Sequence, residues 1–186
     1  MKKLLFVSLS VLTLMVVGCS SRPLGPYGYT DQYEHFAASR SAAVAPDLAT
    51  VHAYLDLFNP LNAERLKNEG PALMAEELYF NDTMITAESR DELIKHLSAT
   101  ADRLESMQID ILDVVPNGDE VLAIWIMDVK FKVLGRIRHS RTLGISQLRF
   151  DEHGKLIFHQ DFWDGSQGLD QHLPLIGPLT RSLRQY

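Results

Sequence analysis

The sequence predicts an α+β domain, a curved antiparallel sheet packed on about three N-terminal helices. Two observations carry that prediction. Apolar residues recur at helical spacing only in the first half of the folded part, as in Leu48, Val51, Tyr54, Leu55 and Phe58. From Gln108 onward the period is two, and it holds over four runs separated by turn-forming clusters. Helices that precede strands, rather than alternating with them, pack together on one face of an antiparallel sheet.

Each element has its own signal. Asp47 can cap a helix starting at Leu48, and Asn59-Pro60 ends it. Asn62 opens a short second helix that stops at Gly70-Pro71, and Pro71 suits the first position of another. Leu78–Asp82, LYFND, reads as a brief strand. Ser89-Arg90-Asp91-Glu92 has capping-box spacing and starts a helix with Leu93, Leu97, Ala101 and Leu104 on one face. Gln108–Val115 is then a strand, and Pro116-Asn117-Gly118-Asp119 is a hairpin turn. Glu120–Val133 is a long strand that turns near Gly135, and Arg136–Phe150 returns. Asp151-Glu152-His153-Gly154 turns again into Lys155–Trp163. On the long strand Trp125, Met127, Val129 and Phe131 share one face, and Asp128, Lys130 and Lys132 share the other. One face is therefore covered, and the other is wet in its second half.

The N-terminus carries a different signal. Lys2 and Lys3 precede the apolar run Leu4–Val17, which is shorter than the roughly 20 residues of a comfortable membrane span. Val16-Val17-Gly18-Cys19 resembles a bacterial lipobox. That resemblance implies a signal peptide over 1–18, cleavage before Cys19 and acylation of its thiol and amine. With Ser20 next, it implies sorting to the outer membrane, facing the periplasm. An ordinary leader with an incidental cysteine, or an uncleaved anchor, is the competing reading. Cys19 is the only cysteine, so neither an intramolecular disulfide nor a thiolate metal site is expected. Loss of Lys2 and Lys3 leaves 16 basic against 24 acidic residues, and the net charge moves from −6 to −8. Such a chain is a poor partner for nucleic acid, whose phosphates call for Lys and Arg. Residues 19–46 are rich in Ser, Pro, Gly, Tyr and Ala and read as a flexible tether. The folded domain is expected over 47–165, with a C-terminal tail over 166–186.

Four stretches resemble the nuclear-transport-factor-2-like superfamily, and SnoaL-like bacterial proteins of unassigned function in particular. They are VHAYLDLFN (Val51–Asn59), LYFND (Leu78–Asp82), ISQLRFDEHGKL (Ile145–Leu156) and HQDFWD (His159–Asp164). The resemblance spans roughly Leu48 to Gly165 and implies a cone whose open end is an apolar pocket. It places Tyr54 where ketosteroid isomerases keep an oxyanion-binding tyrosine, and Asp82 where they keep the general base. Ser146 stands where they keep a protonated Asp, and a serine is the weaker acid. Asp161 stands where epoxide hydrolases and SnoaL-like cyclases place a working acidic residue. The hydrolases' Arg–Asp pairing has no clear counterpart, because Asp128 lies on the polar face of its strand.

On the last strand Ile157, His159, Asp161 and Trp163 point one way. If that is toward the pocket, Asp161 stands against Trp163, Trp125 and Met127 as a candidate acid or base. His159 could then donate to it or pass on a proton. In the alternative, His159 and Asp161 merely satisfy nearby donors, and Asp164 is a turn or cap residue. Tyr54 is equally a core tyrosine, Asp82 equally a turn residue, and Trp125 and Met127 fit a plain core. The seven histidines show no metal-ligand spacing, and His96, His153 and His172 read as surface or turn residues. No cofactor is expected.

Three functions remain open. The favoured one is a lipid-anchored domain that binds a small apolar or amphipathic molecule, tied to the membrane through acylated Cys19. The second is an isomerase, cyclase or hydrolase in which Asp161 or Asp82 moves a proton while Tyr54 and Ser146 steady an oxyanion. The third is an envelope interaction module. The fold also serves as a dimeric docking domain, so a homodimer is a further expectation. The tail from Leu169 is broken by Pro174 and Pro178; it could close the cone mouth as a lid, dock a partner or lie on the membrane, and packing on its own domain is favoured.

Overall fold

The computed structural model describes residues 29–42 and 45–184. The leader and Cys19 lie outside the described residues. The chain divides between Phe36 and Ala37 into two compact units, and the second, Ala37–Tyr186, carries all the strands found among the described residues. Helix α1 (Thr30–Ser39), which crosses that division, lies in the stretch expected to be a tether. Pro23, Gly25, Pro26 and Gly28 all precede it, and its ten residues contain neither Gly nor Pro. A helix can therefore run there.

Helix α2 (Leu48–Leu55) buries Val51, Tyr54 and Leu55. Asp47 is its N-cap residue, but its side chain makes no cap bond. Helix α3 (Ala63–Leu73) starts at Asn62, whose side-chain oxygen accepts from the backbone N–H of Glu64 and Arg65 at 2.9 Å each. Pro71 does not begin a new helix. It sits inside the last turn of α3, and Met74 is already extended. Helix α4 (Arg90–Ala101) follows Ser89, whose Oγ accepts from Glu92 N–H at 3.4 Å. The reciprocal bond falls one residue earlier than a capping box requires, from Glu88 N–H to the Glu92 carboxylate at 3.2 Å.

The sheet has six strands: β1 (Met74–Asn81), β2 (Thr86–Ser89), β3 (Leu104–Asn117), β4 (Glu120–Val133), β5 (Arg136–Phe150) and β6 (Leu156–Trp163). Their spatial order is β2-β1-β6-β5-β4-β3. The expected four-strand meander is present as β3 to β6. LYFND is the end of a longer strand that pairs parallel to β6, a long-range pairing that local periodicity cannot reveal. Leu134 and Gly135 both have positive φ, +48° and +74°, which the two-residue turn between β4 and β5 requires. A register shift on β3 between Ile111 and Asp113 marks a bulge, the usual source of local bending.

Register fixes what the inner face presents. Ala123, Ser146 and Asp161 lie side by side across β4, β5 and β6, and the next row is Trp125, Gly144 and Trp163. Further along β4, Met127 faces Thr142, Val129 faces Ser140 and Phe131 faces Arg138. The outer face carries Arg141 and His139, which both reach Asp128, at 2.8 and 2.7 Å. It is also less polar than expected, since Leu143, Ile145 and Phe162 are exposed there. Arg149 holds the backbone that enters the domain: its Nη1 donates to the carbonyls of Ala37 and Arg40, and its Nε to Glu120 at 3.0 Å.

Burial alone would raise the Glu120 pKa. Hydrogen bonds from Gln147, Arg149 and Asn117, with the Arg149 charge, outweigh it and hold the carboxyl below its usual 4.5. A depressed folded-state pKa adds stability above the unfolded value, and that stability is lost as pH falls through the folded one. Glu120→Gln is therefore expected to destabilise the protein at pH 7 and to match wild type once pH is well below 4.5. Urea denaturation at both ends of that range checks this.

The tail packs on its own domain. Asp164 caps the turn α5 (Gly165–Gly168), accepting from Ser166 and Gln167 N–H. Gly168 lies against Trp163 and Thr142, where an added Cβ would stand 2.1 Å from the indole. Helix α6 (Ile176–Arg184) follows, and Arg184 reaches back to Asp164 at 3.1 Å.

Candidate functional site

The inner face of the sheet, α4 and the start of the tail enclose a cavity of about 390 Å³. Its walls are mainly apolar: Phe58 and Phe80 at one end, Trp125, Met127, Val129 and Phe131 along β4, and Leu169 from the tail. Those four β4 residues are consecutive inward positions. Six residues of strand at about 3.3 Å each make the lined path about 20 Å long. Among the described residues no group of three or more His, Cys, Asp or Glu is arranged to hold a metal ion.

At the Trp125 end two hydrogen-bond chains meet on one oxygen. Trp125 Nε1–H donates to Ser146 Oγ at 2.8 Å, and Ser146 donates to Asp161 Oδ1 at 2.5 Å. Tyr54 OH lies 2.7 Å from His159 Nδ1, and His159 Nε2 lies 2.7 Å from the same Oδ1. Tyr54 is fully buried, and burial, helped by the Asp161 charge, holds its phenol well above the usual pKa. The phenol therefore keeps its hydrogen; where it donates to Nδ1, the ring hydrogen stands on Nε2 and points at Oδ1. Oδ1 receives both chains, and Oδ2 is used by neither. Asp161 lines the cavity, so Oδ2 is the acceptor available to a bound molecule.

Asp82 sits farther along the wall. Its Oδ1 accepts from the N–H of Met84 and Ile85 at 2.9 and 2.8 Å, the geometry of a turn residue. Its Oδ2 is 3.6 Å from His96 Nε2, and its carbonyl accepts from Trp163 Nε1 at 2.7 Å. Asp82 is thus both a turn residue and a cavity residue.

Of the candidates named from sequence, Asp161, Asp82, Ser146, His159, Trp163, Trp125 and Met127 line the cavity. Tyr54 does not. Its hydroxyl is spent on His159, and it acts only through that ring. Ser146 also differs from its expected role, because its hydrogen goes to Asp161 and is not offered to a ligand oxyanion. His96 is not a plain surface residue: it lines the cavity with Thr100 one helical turn later. A sequence signal for this exists, since His96 and Thr100 stand four apart and flank the apolar stripe of α4. His172 is not a plain surface residue either; it packs edge-on against Phe131 at 5.8 Å.

A family model described as a SnoaL-like domain matches residues 51–159. No curated protein matches the chain. Among solved structures, a SnoaL-like protein from Shewanella denitrificans OS-217 superposes with a TM-score of 0.57 and 15% identity, covering 64% of this chain and 91% of its own. A Catenulispora acidiphila protein with a ketosteroid isomerase-like fold, in complex with trimethylamine, gives 0.54 and 18%, covering 64% and 88%. An epoxide hydrolase from M. tuberculosis gives 0.52 and 14%, covering 74% and 96%. At such identities the likeness is one of fold. The matched segment is more than half of the chain, and its helices and curved sheet are those of these neighbours: the protein belongs to the SnoaL-like domain family.

Proposed function

We propose that the domain binds one small apolar or amphipathic molecule in the cavity, anchored by a donor group on Asp161 Oδ2. The observation that carries this reading is the Asp161 carboxylate, oriented by two hydrogen-bond chains, on a wall made mainly of apolar side chains such as Trp, Phe, Met and Val. Ligand cavities commonly have this make-up, with about 300–1,000 Å³ of apolar wall and a few fixed polar groups. Two structural neighbours, one in complex with trimethylamine and one an epoxide hydrolase, support this reading. In the same reading the mature chain is tethered through acylated Cys19 to the outer membrane, on its periplasmic side.

A second reading, proton transfer of the isomerase, cyclase or hydrolase kind, is favoured by the Tyr54–His159–Asp161 chain. A carboxylate held in one orientation suits a general base. Binding is tested by filling the cavity. Met127→Trp is expected to weaken binding of the apolar fluorophore N-phenyl-1-naphthylamine by tenfold or more, while far-UV circular dichroism stays the same. Unchanged affinity in a folded variant would overturn the cavity as the ligand site.

A further inference from the structure

The corner of the cavity around Asp161 has spent its hydrogen-bond donors. Trp125 Nε1–H goes to Ser146, the Ser146 hydrogen to Asp161, and Trp163 Nε1–H to the Asp82 carbonyl. His159 Nε2 is turned to Asp161 Oδ1. What this corner still offers a bound molecule is one acceptor, Asp161 Oδ2, and the carbon surfaces of two indoles.

A glycine fixes how one of those indoles lies. Trp125 pairs with Gly144 across β4 and β5. A Cβ added at Gly144 would stand 2.2, 2.3 and 2.7 Å from three successive carbons of the six-membered ring. Three such distances put the glycine against a face of the ring, since beside an edge the third carbon would be farther off. One face of Trp125 therefore rests on the β5 backbone, and the other is turned away from the sheet, into the cavity the residue lines. An aromatic face carries the negative part of the ring's charge distribution and attracts cations.

The charges along the wall are sorted the same way. Among the described residues no lysine or arginine pairs with Asp161; His159 alone reaches it, on Oδ1. Asp82, a second carboxylate of the wall, adjoins Trp163. Arg103 and Lys132 also line the cavity, but they flank the Leu104–Phe131 pair, and Lys132 is held by Glu105 at 2.6 Å. Phe131 is about 20 Å along β4 from Trp125, so these cations belong to the other end.

We infer that the ligand is an apolar amine bound as its ammonium, with an N–H on Asp161 Oδ2, its charge against the Trp125 face and its apolar part lying along β4 toward Phe131. The inference rests on the cavity being a ligand site and names the donor that Asp161 receives. An alcohol or amide on Oδ2 would bring lone pairs for which this corner has no donor, and a buried acceptor left unpaired is unfavourable. An ammonium donates and has nothing to accept with. At pH 7 an alkylamine is protonated, as a lysine is. The net charge of −6 draws cations toward the protein at long range as well.

The chain has two tryptophans and both line the cavity, so their fluorescence reports occupancy. The full chain is titrated with N,N-dimethyloctylamine, 1-octanol and octanoate at pH 7. The amine is expected to bind roughly tenfold or more tighter than the alcohol, and octanoate weakest. In Asp161→Asn the amine should come within about threefold of the alcohol measured on the same variant. If the alcohol or octanoate matches the amine in wild type, or the full preference survives in Asp161→Asn, the amine inference falls and the binding cavity stands. If none of the three binds, the amine inference falls, and the binding reading falls with it where Met127→Trp also leaves the affinity for N-phenyl-1-naphthylamine unchanged. Should Asp161→Asn fail to fold, NMR on the wild type decides. Nuclear Overhauser contacts from the Trp125 ring to the N-methyl protons of the amine are expected, and contacts to the far end of its chain instead would overturn the assignment.

Discussion

Gly144→Ala is expected to destabilise the protein by about 2–4 kcal/mol, more than an average substitution. Gly144 lies between Trp125 on β4 and Trp163 on β6, in register with both. A Cβ there would stand 2.2 Å from the Trp125 ring, a separation that atoms in folded proteins do not adopt. The β5 backbone is paired on both sides and cannot retreat, so the indole must move. Its movement breaks the bond to Ser146, which costs about 1 kcal/mol beyond the steric term. It also pushes the ring into the cavity. A shift of the urea midpoint with unchanged slope would report the effect. A cost below about 0.5 kcal/mol would mean that the sheet and the indole are not packed as described.

Asp161→Asn is expected to leave the fold intact while removing the base and the acceptor offered to the cavity. The amide keeps an acceptor for Ser146 and His159 when its oxygen occupies the Oδ1 position, so the fold survives. What changes is the group offered to the cavity, an acceptor and base in the wild type and a donor in the variant. If the protein transfers protons, turnover should fall by about 10²–10⁴. Deuterium uptake from D₂O into a panel of apolar ketones and enones, followed by NMR, measures this without knowledge of the natural substrate. Catalysed exchange in the wild type and its loss in Asp161→Asn would support the enzyme reading. Equal exchange in both would remove Asp161 as the base. No exchange in either leaves the domain as a binder.

Parts of this site are legible in the residues. Strand alternation places Ile157, His159, Asp161 and Trp163 on one face and Trp125, Met127, Val129 and Phe131 on another, and the structure joins all of these except Ile157 along a single wall. The roles within the wall are less legible. By sequence Tyr54 and Ser146 are equally able to face a ligand, and both turn their hydrogens to protein acceptors instead. His172 reads as a surface residue because a lone histidine carries no periodic signal, whereas His96 has one in its four-residue spacing to Thr100. Pro71 suggests a new helix, yet α3 runs on to Leu73 and the chain enters β1 at Met74.

The sequence by itself determined the order of helices α2, α3 and α4 and of strands β3 to β6, the turns at Gly118, Gly135 and Gly154, the faces of these strands and the family. These depend on residues a few positions apart, where sterics and solvent act locally. Only the tertiary structure decided that β1 joins β6 and that the chains from Tyr54 and Trp125 converge on one oxygen of Asp161. The Tyr54–His159 bond spans 105 residues, and the Trp125–Ser146 bond spans 21. Periodicity fixes which way a side chain points. Its partner is fixed by register and sheet order, set when distant strands close over the helices and every buried donor must find an acceptor.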